Sequence, residues 1–239
     1  MQIRTLITNN VISPSMTAPH ILLKNASQLL TLSGDNTQPR TKDGMRNLGI
    51  INNGDVWITH GQITGVGSDG GTAHEAEIII DCTGKVVMPG FVDPHTHLVF
   101  AGSRENELAM KLKGHSYMEI QQAGGGILRQ VRKTREASNE VLIAQALKRL
   151  DTMLLQGTTT IEAKSGYGLD APTELRMLQV AKILNHQHPI EIVSTFMGAH
   201  AIPPEFNGRN QDFIQSMIDL LQIIKEKQLA EFCDVFCDM

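Results

Sequence analysis

The chain has 239 residues, 41% of them hydrophobic and 19% charged, the composition of an ordinary globular protein rather than a fibrous or disordered one. Its formal net charge is −4 with acidic and basic residues interspersed, which excludes a basic nucleic-acid stripe and a like-charge tail. Cys82, Cys233 and Cys237 are too few and too scattered for a disulfide framework, so reduced thiols and a cytoplasmic location are expected.

In chain order, residues 1–19 carry one early basic residue, Arg4, and an apolar run broken by Thr8, Asn9 and Asn10. That is no secretory signal, and the segment reads as a loosely ordered leader. No stretch approaches the ~18 apolar residues of a membrane span, so no membrane partner is expected.

Residues 20–84 are short and strand-like. Ile21-Leu22-Leu23, Leu29-Leu30-Thr31-Leu32, Gly49-Ile50-Ile51, Asp55-Val56-Trp57-Ile58-Thr59, Gln62-Ile63-Thr64-Gly65-Val66 and Ile78-Ile79-Ile80 predict strands. Asn53-Gly54, His60-Gly61 and Asp69-Gly70-Gly71 predict turns between them, and residues 33–46 read as a polar loop.

The period changes at residue 85. Val86-Val87-Met88-Pro89-Gly90-Phe91-Val92 is a continuous apolar run, as a strand covered on both faces would be, with Pro89 and Gly90 confining regular pairing mostly to the part after them. Ser138 predicts the cap of a helix to residue 156, with Leu142, Ala146 and Leu150 on one face and Gly157 at its end. Thr158-Thr159-Thr160-Ile161-Glu162-Ala163 follows as a strand. Asp170 caps a second helix with Pro172 in its first turn. A strand over 190–196, a helix over about 211–228 and a last strand over 232–237 complete the alternation.

Strands alternating with helices predict βα units around a parallel sheet, which both a doubly wound sheet and a (β/α)₈ barrel satisfy. Residues 85–239 hold three complete units and the start of a fourth, whereas a barrel needs eight and ~250 residues. The expectation is therefore an incomplete barrel, its first half, behind part of a small β domain.

The sharpest chemical feature is Asp93-Pro94-His95-Thr96-His97. Residues two apart on a strand share a face, so His95 and His97 project together as a metal ion with nitrogen ligands requires. Their place at a strand's C-terminal end matters equally, because active sites of parallel barrels lie there. His186 and His188 have the same spacing but precede a strand, at the structural end, where a solvated loop is expected. The Cys233 and Cys237 spacing admits a zinc pair, yet no second pair completes a structural site.

His200 follows the third strand and opens onto the same rim as His95, or is a lone loop histidine. Tyr167 lies between Gly166 and Gly168 on that rim, or in an ordinary βα turn. Arg104 suits a carboxylate-bearing substrate through its two-pronged guanidinium, or pairs with Glu105 or Glu107. Gly124-Gly125-Gly126 lacks a following Lys-Ser/Thr and reads as a mobile loop rather than a phosphate cradle.

Taken together, the β-rich start followed by Met88-Pro89-Gly90-Phe91-Val92-Asp93-Pro94-His95-Thr96-His97 resembles the metal-dependent amidohydrolase superfamily, which joins a small β-sandwich to a metal-bearing (β/α)₈ barrel. Within it, His95-Thr96-His97-Leu98-Val99-Phe100-Ala101-Gly102-Ser103-Arg104-Glu105, Gln122-Ala123-Gly124-Gly125-Gly126-Ile127, Glu162-Ala163-Lys164-Ser165-Gly166-Tyr167-Gly168-Leu169 and Ser194-Thr195-Phe196-Met197-Gly198-Ala199-His200 resemble the imidazolonepropionase family. The resemblance covers about residues 21–239. It implies hydrolysis of the cyclic amide 4-imidazolone-5-propanoate to N-formimidoyl-L-glutamate in histidine degradation. The alternatives are another cyclic amidohydrolase, a heterocycle deaminase, or an inactive truncated fragment.

By position, the resemblance makes His95 and His97 ligands of a divalent metal ion, zinc or iron. It gives Arg104, Tyr167 and His200 to a small carboxylate-bearing substrate, with Tyr117 close by. The remaining ligands and the acid and base residues are expected beyond Met239, and a homodimer is left open. Relatives that hold two metals bridge them with a modified lysine on the fourth strand. Residues 232–238 have no lysine, and Lys164 is on the second strand, so one metal ion per chain is expected.

Overall fold

The computed structural model describes residues 20–34, 38–68 and 76–237. The expected leader and the Asp69-Gly70-Gly71 turn lie outside the described residues. The chain divides into two units between Gly90 and Phe91.

The first unit is a five-stranded sheet of β1 (Ile21–Leu30), β2 (Ile50–Thr59), β3 (Gln62–Gly67), β4 (Ile78–Asp81) and β5 (Val86–Val87). Its order is β3-β2-β1-β4, with β5 also paired to β1. The His60-Gly61 turn forms as expected: both residues have positive φ, 50° and 73°, and join antiparallel β2 and β3 as a tight hairpin demands. Asn53-Gly54 does not turn. It lies within β2, where Gly54 pairs with Ala26 and a Cβ would stand 2.8 Å from Leu29 Cβ. The glycine there serves close packing, not reversal. Ile21, Ala26, Leu29, Val56, Ile58 and Cys82 form this unit's core.

The apolar run over residues 86–92 is two strands rather than one. Val86 and Val87 pair in parallel with Gln28 and Leu29 of β1, whereas β6 (Phe91–Thr96) pairs with the second unit's sheet. Pro89 has no N–H for a ladder, and the run breaks there.

In the second unit, β6, β7 (Thr158–Lys164), β8 (Glu191–Ala199) and β9 (Phe232–Val235) form a wholly parallel sheet in sequential order. A doubly wound sheet reverses strand order at a switch point; these four strands advance in one direction, as consecutive strands of a barrel do. Helices α1 (Glu105–Leu112), α2 (Tyr117–Gln122) and α3 (Ile127–Glu136) occupy the segment after β6, where sequence patterning assigned no helix. Gly124-Gly125-Gly126 is not a mobile loop: Gly125 and Gly126 are buried, and Gly126 caps α3 at φ 78°.

The expected helices form as α4 (Asn139–Leu155), α5 (Ala171–Gln187) and α6 (Asn210–Glu226). Ser138 Oγ accepts the Val141 N–H, and Asp170 Oδ1 accepts the Thr173 N–H, so both predicted caps are in place. Leu142, Ala146 and Leu150 of α4 and Met177, Ala181 and Leu184 of α5 pack on Ile161, Ala163 and Ile192 of the sheet. Phe213, Met217, Leu220 and Ile224 of α6 cover Phe196 and Leu178.

Candidate metal centre

His95 stands in the last turn of the pleat of β6 and His97 immediately after it, their ring centroids 5.8 Å apart. Four contacts fix this strand end. Thr96 Oγ1 donates to Glu162 O at 2.7 Å, stitching β6 to β7. Arg149 of α4 donates through Nη1 to Leu98 O and Phe100 O at 3.0 and 3.2 Å. Its guanidinium also lies 3.7 Å from the Phe100 ring centroid, a cation–π contact.

His97 is half-buried, whereas His95 is exposed. Its ring stacks on His200 at 4.8 Å and 10°, and lies 4.7 Å from Tyr167. Burial pushes its pKa down to about 4, helped by the neighbouring His200 charge and opposed by a backbone hydrogen bond with Ser165. The ring is therefore neutral at pH 7, the form that ligates metals. Its Nδ1 is buried without a hydrogen-bond partner among the described residues. An orphaned buried nitrogen of this kind carries a desolvation cost unless a ligand takes it. The neutral ring, its unsatisfied nitrogen and a second imidazole alongside fit a divalent ion.

His200 reaches the same place from β8. Its Nδ1 lies 2.9 Å from Gly166 O, and because a carbonyl only accepts, Nδ1 carries the proton. Gly166 has φ 106°, and a Cβ there would stand 2.8 Å from Met197 O and 2.9 Å from His200 Cβ. Only glycine fits this approach. Burial pushes the Tyr167 phenol up, the nearby Arg104 charge partly opposing it, so the hydroxyl stays protonated at neutral pH.

The loop carrying Tyr167 is organised by Glu174, a fully buried residue of α5. Its carboxylate accepts the backbone N–H groups of Gly166, Gly168 and Leu169 at 2.7 to 3.1 Å. Arg135 of α3 ties this loop to the next, bonding Gly168 O and Asp170 on one side and Glu205 on the other, each at 2.7 Å.

Arg104 forms the ion pair that sequence left as its other reading, and the partner is Glu107. Arg104 Nε and Nη2 donate to Glu107 Oε2 at 2.9 and 2.5 Å. Glu107 Oε1 accepts the Gly126 N–H at 2.9 Å, so the guanidinium is held from behind by a buried, fixed carboxylate. Tyr117 begins α2; its side chain lies outside the described residues.

His188 is not in a solvated loop. It is buried, its Nδ1 accepts the Ile190 N–H at 3.2 Å, and its Nε2 lies 3.4 Å from Asp151 Oδ1, while His186 is exposed as expected.

Sequence patterning gave no site role to four groups beside the histidines. Lys164 Nζ donates to Glu162 Oε1 at 2.7 Å and to Asp234 Oδ2 at 2.8 Å, and Thr195 Oγ1 donates to the same Glu162 oxygen at 2.6 Å. Burial alone would lower the Lys164 pKa, but its bonds to Asp234 and Glu162 outweigh that and raise it. The available signal was the alternation of Glu162 and Lys164 on the end of β7, which puts both on one face.

The segment 79–176 matches the model of the amidohydrolase family. Over 218 residues the chain is 53% identical to curated imidazolonepropionases of Bacillus thuringiensis (strain Al Hakam) and Bacillus cereus (strain B4264). The matches cover 91% of this chain and 51% of each relative, so the chain spans about half the length of the curated relatives it matches. Among solved structures, 5-methylcytosine deaminase from Klebsiella pneumoniae aligns with a TM-score of 0.54 at 16% identity, over 91% of this chain and 51% of that one. A triazine hydrolase from Arthobacter aurescens aligns with a TM-score of 0.51 at 16% identity, over 87% and 42%. At such identities these two likenesses show the fold alone. With its histidine pair at the rim of a sequentially ordered parallel sheet, the chain is similar to the amidohydrolase family over residues 79–176 and to imidazolonepropionases over 218 residues.

Proposed function

We propose that the intact protein hydrolyses 4-imidazolone-5-propanoate to N-formimidoyl-L-glutamate in the cytoplasm, and that this chain supplies one wall of the site. The observation that carries the reading is the convergence of His95, His97, Tyr167 and His200 on one rim, in a sequence 53% identical to imidazolonepropionases. His95 and His97 would hold one divalent ion, zinc or iron, with further ligands from later strands. When bound, such an ion would lower the pKa of a coordinated water toward ~7 and so supply a nucleophile at neutral pH.

The side chains described above do the rest. His97 stays neutral through the working pH range and keeps a lone pair for the ion. Gly166 O holds the His200 Nδ1 proton and leaves Nε2 for the ring amide of the substrate. Tyr167, neutral and walled by His97 and Phe100, offers a hydroxyl donor. Arg104, anchored by Glu107, receives the propanoate and converts its binding energy into orientation.

Two measurements test this. The full-length protein should release N-formimidoyl-L-glutamate from the imidazolone and leave hydantoins and purines intact; the reverse preference would defeat the substrate assignment. Arg104→Lys keeps the charge but loses the fork. It should lower kcat/KM roughly 10- to 100-fold, the worth of a charge-assisted hydrogen bond. Unchanged kcat and KM would remove Arg104 from the carboxylate site.

A further inference from the structure

The ion triad at the end of β7 reaches beyond the histidine pair. Glu162 and Lys164 stand on one face of β7, and Asp234 comes from β9, with β8 between them. The Lys164 side chain is only 6% exposed, and those of Glu162 and Asp234 are 23% and 44% exposed. Its ammonium lies between one oxygen of each carboxylate, at 2.7 and 2.8 Å. Divalent zinc takes carboxylate oxygens at ~2.0–2.2 Å, so each oxygen would need to close in by only about 0.6 Å to ligate an ion in place of the nitrogen. Thr195 already orients Glu162 from behind.

This cradle adjoins the metal rim. Thr96, the residue between the two histidines, is hydrogen-bonded to the Glu162 backbone, and β6 pairs directly with β7. Among the described residues no three of His, Cys, Asp and Glu converge closely enough to hold a metal as they stand. The ammonium fills the place where they would.

We propose that Lys164 is a built-in substitute for a second cation: it neutralises Glu162 and Asp234 beside His95 and so limits the centre to a single metal ion. This rests on the metal reading of His95 and His97. It also gives the expectation of one ion a physical basis in this chain's own residues. Without Lys164, two partly buried carboxylates face each other with no counter-charge, a state a divalent ion relieves.

The test is the number of ions per chain in the full-length protein, measured by elemental analysis after equilibration with zinc or manganese and removal of free metal. Wild type and Lys164→Arg should each hold one. Lys164→Met and Lys164→Gln should hold two, and adding Asp234→Asn to Lys164→Gln should return the count to one. Manganese added beyond one equivalent should raise the melting temperature of Lys164→Gln and leave that of wild type unchanged. Two ions in wild type, or one in folded Lys164→Met and Lys164→Gln, would overturn the proposal. So would failure of both variants to fold at millimolar manganese, since the ion should replace the lost charge. No ion in wild type would instead defeat the metal reading itself.

Discussion

At His97 the environment acts on a single proton. An unfolded histidine titrates near 6.5, and in the folded chain burial lowers that to about 4. Between these values the unfolded chain binds the extra proton, so stability is full above about pH 6.5 and falls as pH drops toward 4, then levels off. The loss attributable to this residue is at most about 3 kcal/mol. It is read by urea unfolding of metal-free protein from pH 7 to pH 4, and His97→Gln should flatten the slope. Glu174 acts through backbone rather than protons. Glu174→Gln sets an amide against N–H groups that its carboxylate now accepts, and should cost about 2–4 kcal/mol in urea unfolding. Hydrogen exchange across residues 166–169 should accelerate at the same time. His95, His97 and His200 were legible in the sequence because each sits at the end of a recognisable strand. Glu174 was not, since a glutamate in the first turn of a helix looks like an ordinary partner of the helix dipole. Only the loop folding back over it makes it a buried acceptor.

At the scale of elements, the caps of α4 and α5 and the end of α4 were readable, because capping and a 3.6-residue apolar period are local. Leu150 is fully buried in the resulting core, and Leu150→Ala should cost about 2–5 kcal/mol of unfolding free energy. The junction of β7 with its loop is less forgiving. Gly166→Ala places a methyl against Met197 O and His200 at a φ alanine avoids, so it should destabilise by about 1–3 kcal/mol. It should also weaken metal binding by displacing the ring stacked on His97, which calorimetric titration would show. Helices α1 to α3 escaped the sequence reading. They are short, α1 and α3 have no side-chain cap, and their positions depend on Glu107 reaching Gly126.

At the scale of the molecule, β6 and β9 each pair on one side only among the described residues. Phe91 and Val92 on one edge strand, and Phe232 and Val235 on the other, are all more than half exposed. Such edges invite further strands. The 239-residue chain expressed alone should therefore associate, with light scattering giving a mass that rises with concentration. A concentration-independent monomer would show that the edges are protected.

The sequence by itself determined the βα alternation, the caps of α4 and α5, and the pairing of His95 with His97, because these depend on residues within a few positions of one another. Tertiary structure alone decided which strand Val86 and Val87 join, which carboxylate holds Arg104, and that Lys164 bridges Glu162 to Asp234. Each of those contacts closes a loop through space, between residues whose separation along the chain carries no periodic signal. The histidine rim follows the same division: strand-end position selected its histidines, and packing made His97 neutral and left its Nδ1 without a hydrogen-bond partner among the described residues.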